Sequence, residues 1–87
     1  MAVASRPAPA PSACTTVEFQ DDQNQWQPFT DAAEVQRLLD ALRLWTAGSG
    51  APSVVQYDAR NFTYSVDLAR RTQTNTHTLK VRCIRFV

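Results

Sequence analysis

Glycine and cysteine are scarce in this 87-residue chain, at two each, and histidine occurs once. So few glycines leave no Gly-rich phosphate loop of the P-loop or dinucleotide-binding kind. Cys14 and Cys83 make no disulfide framework and no Cys-x-x-Cys or Cys/His metal spacing, so both are expected to be free thiols in a reducing compartment. His77 lies in a polar stretch with no acid or nucleophile at a telling spacing, and no catalytic base is assigned to it. With no nucleophile-base pair or metal cluster, the residues read as a domain that is not an enzyme and needs neither metal nor cofactor. No apolar run approaches the ~18 residues of a membrane span. The N-terminus carries one arginine and no apolar run before Pro7, unlike a secretory signal, so a soluble intracellular protein is expected.

What is present is one small domain's worth of chain, enough to bury about 60–65% of the surface that its unfolded form exposes. The net charge of +1 hides an asymmetry: residues 1–36 hold five acids against Arg6, and residues 37–87 hold eight bases against three acids. An anionic partner for the C-terminal half fits this, as does a solvated strand face.

Residues 1–14 form an alanine-proline leader, expected to be disordered or polyproline-like, because proline fixes φ and removes donors. Its removal up to residue 13 should leave the thermal midpoint unchanged. The folded domain, 15–87, opens with Val17 and Phe19 alternating with Glu18 and Gln20, a strand with one buried face. A polar turn, 21–25, leads to a returning strand from Trp26 to Phe29. Asp31 predicts a helix cap, with Glu34 three residues on completing a capping box. Val35, Leu38, Leu39, Leu42 and Trp45 then recur at helical spacing, up to the turn from Gly48 to Pro52. Beyond it the period changes to two: Val54, Val55 and Tyr57 suggest a strand, residues 58–61 a turn, and Phe62, Tyr64, Val66 and Leu68 one face of another strand. Residues 70–78 are polar and should hold a turn or short strand. In the last strand Leu79, Val81 and Cys83 share one phase and Ile84 and Phe86 the other. Either a bulge resets the phase, or Arg82 faces inward beside Ile84 and Phe86, where a guanidinium needs a partner such as a bound phosphate.

Tyr64, Gln73, Arg82 and Arg85 are the candidate binding residues. An aromatic, an amide and two guanidiniums on neighbouring strands can stack on a base, read its edge and pair with phosphate. Trp26 reads first as a core anchor and second as a ligand contact, and Arg85 as a solvated strand residue or a further phosphate contact.

Trp26-x-x-Phe29 after an acidic hairpin, the single helix, then Tyr64-x-x-Asp67-Leu68, Gln73-x-Asn75 and Arg82-x-Ile84-Arg85 together resemble the WWE domain over roughly residues 16–86. Of the namesake residues Trp26 is kept, the opening Trp-x-aromatic pattern appears as Val17-Glu18-Phe19, and the glutamate falls near Leu39-Asp40. The resemblance implies an α+β fold, a small half-barrel of antiparallel strands packed on one helix, found in ubiquitin ligases and poly(ADP-ribose) polymerases of the nucleus and cytoplasm. It also implies a binding module for iso-ADP-ribose of poly(ADP-ribose), or terminal ADP-ribose, on modified proteins. Tyr64 would then line the adenine pocket, Gln73 read adenine and Arg82 pair with phosphate. A monomeric domain is expected. The alternative is a protein-interaction domain of the same fold with a vestigial pocket, while RNA binding lacks the usual aromatic-basic motif.

Overall fold

The computed structural model describes residues 14–48 and 50–87; the leader, 1–13, and Ser49 of the expected turn lie outside the described residues. Six strands and one helix follow: β1 (Val17–Gln20), β2 (Trp26–Pro28), α1 (Ala32–Thr46), β3 (Val54–Ala59), β4 (Phe62–Asp67), β5 (Thr72–Asn75) and β6 (Val81–Phe86). The strands form one antiparallel sheet in the order β2-β1-β6-β5-β4-β3. Packed on a single helix, this is the expected α+β half-barrel.

Turn chemistry explains most of the connections. Asp21 Oδ1 accepts from the backbone N–H groups of Gln23 and Gln25, both at 2.9 Å, while Asn24 takes φ 62°, which a short polar side chain tolerates. β2 is a three-residue edge strand ending in Pro28, whose missing N–H costs nothing on a sheet edge. Between β3 and β4 the two loop residues Arg60 and Asn61 both have positive φ, 52° and 67°. That is the backbone of a tight hairpin turn, achieved here without glycine.

The helix begins at Asp31, whose side chain accepts from the N–H groups of Ala33 and Glu34 at 3.0 and 3.2 Å. The expected capping box is only half present. The Glu34 side chain does not return to the cap but turns into the protein interior. At the other end Gly48 takes φ 73°, a left-handed position beyond the last turn that glycine adopts without a Cβ penalty.

Leu38, Leu42, Leu68, Val17 and Val66 are the largest fully buried side chains, so the helix stripe shares one core with residues of β1, β4 and the segment after it. Two expectations about the core are corrected. Cys14, assigned to the leader, is buried within the core cluster, so the folded unit reaches at least that far. Trp26 is only half-buried and lies outside that cluster, because β2 is an edge strand and leaves one side of the indole to solvent.

The phase conflict in the last strand resolves without a bulge. β6 runs in unbroken register from Val81 opposite Thr74 to Phe86 opposite Val17. Ile84 and Phe86 are buried, Arg82 is half-buried in the same phase, and Val81 and Cys83 are exposed. Where the chain closes on itself, the N–H groups of Thr15 and Thr16 both donate to the carbonyl of Val87, at 2.8 and 3.1 Å.

Candidate functional site

Arg60, Tyr64, Asn75, Thr78, Lys80 and Arg82 line a cavity of about 270 Å³. The register brings them together: Tyr64 on β4 pairs with Asn75 on β5, and Gln73 on β5 pairs with Arg82 on β6. Asn75 also shapes the following turn, its Oδ1 accepting from the N–H groups of His77 and Thr78 at 2.9 and 3.1 Å. The hairpin turn carries Arg60 back over the sheet, with its guanidinium 5.0 Å from the centre of the Tyr64 ring.

Behind the cavity wall lies a buried polar cluster. Glu34 Oε2 accepts from the Tyr57 hydroxyl at 2.5 Å and from Gln73 Nε2 at 3.2 Å, and Gln73 Nε2 also reaches the Tyr57 hydroxyl oxygen at 2.6 Å. Arg60 supplies the compensating charge, with Nη2 at 3.3 Å from Oε2 and Nη1 at 2.8 Å from Oε1. The Oε1 contact is one of charge, without an aligned hydrogen bond. The Glu34 side chain is wholly buried, whereas that of Arg60 is 43% exposed. Arg60 therefore joins a buried carboxylate to the open cavity, and Tyr57 stacks on Tyr64 at 5.8 Å between ring centres.

Burial pushes the Tyr57 phenol above its ordinary value of 10.0, and its hydrogen bond to Glu34 and that residue's charge add to the effect. A raised pKa stabilises the fold fully below the unfolded value and progressively less above it. The domain should therefore lose stability as the pH climbs beyond about 10, and Tyr57→Phe should flatten that loss while lowering stability at neutral pH by about 1–3 kcal/mol. Denaturant midpoints across the alkaline range, with tyrosinate absorbance followed in parallel, check this. An equally steep loss in the variant would assign it to another group. Partial burial opposes the charge on Arg60, but hydrogen bonding to Tyr64 and attraction to Glu34 outweigh it and raise its pKa.

The β1–β2 turn supplies acids beside the cavity. Lys80 Nζ lies 2.8 Å from Asp22 Oδ1, and this hydrogen bond, the ammonium charge and a smaller contribution from Arg82 hold the Asp22 carboxyl below its ordinary range. Asp21 is lowered as well, chiefly by the Gln25 N–H. Arg82 rests with its guanidinium 4.9 Å from the centre of the Phe19 ring. The inward charge expected to lack a protein partner thus has an aromatic face and nearby acids.

Of the sequence-derived candidates, Tyr64 and Arg82 share the cavity wall. Gln73 does not line it: at 4% exposure its amide nitrogen is committed to Glu34 and Tyr57. This is a structural duty that its polar neighbours in sequence gave no sign of. Trp26 and Arg85 form a separate pair on β2 and β6, the guanidinium 4.4 Å from the indole, with Arg85 Nε also 2.6 Å from Glu18 Oε1. Sequence reasoning missed Arg60, read only as a turn residue, and did not single out Lys80. It also missed the cluster of Glu34 and Tyr57. Asp40, aligned with the namesake glutamate, is exposed and bonded within α1 to Gln36 and Arg43; the buried acid of the helix is Glu34.

Among the described residues no group of three His, Cys, Asp or Glu side chains is placed to hold a metal ion, and no helix is long and apolar enough to cross a membrane. Comparison with curated proteins returned no match. The family model of the WWE domain matches residues 18–86, the span from β1 to the end of β6 that holds the half-barrel, the cavity and the cluster behind it, and the chain belongs to the WWE domain family, a family of binding modules.

Proposed function

We propose that this domain is a non-catalytic module that binds ADP-ribose units, either the iso-ADP-ribose of poly(ADP-ribose) or a terminal ADP-ribose on a modified protein. Bound there, it recruits the nuclear or cytoplasmic ubiquitin-ligase or ADP-ribosyltransferase polypeptide that carries it. The observation that carries this reading is one cavity lined by the Tyr64 ring and by three cations, Arg60, Lys80 and Arg82. At about 270 Å³ it lies near the lower limit of about 300 Å³ for small-molecule sites, so part of the ligand stays outside. The ring offers an apolar edge to a base, and the cations offer charge-assisted bonds to phosphate. Asp22 already occupies Lys80, so an incoming phosphate displaces one anion with another. Asp22→Asn should accordingly raise affinity several-fold, an effect that diminishes with salt.

Titration calorimetry with iso-ADP-ribose, ADP-ribose and a short single-stranded RNA is the test. A nucleotide response in the micromolar range, about −8 kcal/mol, with weaker RNA binding supports the proposal. RNA bound more tightly than either nucleotide at physiological ionic strength sinks it. A second reading, a protein-interaction domain with a vestigial pocket, is favoured by the internal commitment of Gln73, and gains ground if neither nucleotide gives heat.

A further inference from the structure

The two edges of the sheet are unequal. β2 is short and carries Pro28, features that blunt an edge against pairing. β3 is six residues long, with neither proline nor lysine. Its outward backbone groups follow from the ladder: the Leu68 N–H donates to the Ser53 carbonyl at 2.7 Å, and Val54 stands opposite Asp67. Hydrogen-bonded pairs alternate along an antiparallel ladder, so Val55, Tyr57 and Ala59 bond to β4. Val54, Gln56 and Asp58 turn their N–H and C=O groups to the open edge.

Beside that edge runs a groove of about 600 Å³ between α1 and β3. Ala41, Leu44 and Val55 give it an apolar floor, with Leu44 57% exposed. Its rim holds Arg37 and Asp40. Asp40 is already neutralised by Arg43, while Arg37 makes no ion pair among the described residues, so the groove presents a net positive charge.

We infer that β3 is a docking edge for an extended peptide segment of a partner protein, which adds as a seventh strand and lays alternate side chains, apolar and acidic, into the groove beneath α1. Main-chain bonds to Val54, Gln56 and Asp58 hold the segment. Ala41 and Leu44 select apolar residues on its inner phase, and Arg37 selects an acid between them. This surface shares no residue with the cavity of Tyr64 and Arg82, so the two readings stand or fall separately.

The probe is a blocked peptide of about seven residues, threonines alternating with valine, glutamate and valine, long enough to span β3; a control carries lysine in place of the glutamate. In heteronuclear NMR titration of the full chain, the expected shifts fall on the Val54, Gln56 and Asp58 amides and the Ala41 and Leu44 methyls, with the Gln56 amide gaining protection from exchange. Gln56→Pro removes an outward N–H and leaves the β3–β4 ladder intact; it should weaken binding about tenfold, the worth of one hydrogen bond. Arg37→Glu, on the helix surface, should reverse the preference between the two peptides. The inference is overturned by shifts confined to the Tyr64–Arg82 cavity, by no response to either peptide, or by a folded Gln56→Pro variant that binds like the parent. The same amide shifts appearing on concentration without peptide would assign the edge to a second copy of the chain and overturn it equally.

Discussion

Replacing Glu34 by alanine should lower the stability of the domain by about 2–5 kcal/mol, a large share of the about 5–15 kcal/mol that holds a native protein together. The cost has a specific origin. Glu34 is the common acceptor for the Tyr57 hydroxyl and the Gln73 amide; its loss leaves the Tyr57 proton without an acceptor in a buried site, at about 1–3 kcal/mol, and removes one of two bonds of the Gln73 nitrogen, which keeps Tyr57, at about 0.5–1.5 kcal/mol. Arg60, 43% exposed, can turn to water and adds little. Two controls separate this account from a generic loss of helix charge. Asp40→Ala, on the exposed face of the same helix, should stay within about 0.5 kcal/mol, and Arg60→Ala, which leaves the buried Glu34 carboxylate without its countercharge, should also destabilise the domain. For a domain of this size the expected fall in thermal midpoint is about 10–30 °C for Glu34→Ala. Equal midpoints for Glu34→Ala and Asp40→Ala would show that the cluster does not stabilise the fold.

Arg82→Ala should weaken binding of an ADP-ribose unit by about 1.5–3 kcal/mol, roughly 10- to 150-fold, as expected for charge-assisted bonds to phosphate. Its effect on stability should be small and unfavourable, since the guanidinium contact to Phe19 is worth about 0.5–2 kcal/mol. This differs from the gain in stability that an unpartnered inward charge would imply, and the reason is the Phe19 ring together with the nearby acids of the β1–β2 turn. Titration calorimetry on a variant shown to be folded measures the first quantity, and thermal denaturation the second. Affinity unchanged by the substitution removes Arg82 from the ligand site. Gln73→Ala is a poorer probe, because it takes a buried donor away from Tyr57 and Glu34 and so confounds affinity with stability.

The elements were legible wherever one face of the chain is buried. The alternation of Val17 and Phe19, the stripe from Val35 to Trp45 and the phase of Tyr64, Val66 and Leu68 each report burial directly in the residue pattern. Polar residues carry no such signal. Gln73 in a run of threonine and asparagine looks solvated, yet the pairing of β5 with β4 and β6 turns it inward opposite Val66 and Arg82. Glu34 matches a local capping pattern, but a longer-range competitor won: Tyr57 and Gln73, 23 and 39 residues further on, offer donors in a dry site. Arg60 was hidden for a related reason. A turn residue is read as solvent-facing, and only a tight hairpin with both loop residues at positive φ sends its side chain back over Tyr64.

The closure of the chain near Thr15 and Val87 bears on how the domain responds to tension. β1 and β6 are antiparallel neighbours, and the two ends leave the sheet side by side. A pull applied across them therefore loads the Thr15, Thr16 and Val87 bonds first and then opens the β1–β6 pairs one after another, rather than shearing the whole ladder at once. Tethered between two anchored segments, such a domain gives way at low force by peeling its first strand from its last, and Val17 and Phe86 are the first core residues of that ladder to be wetted.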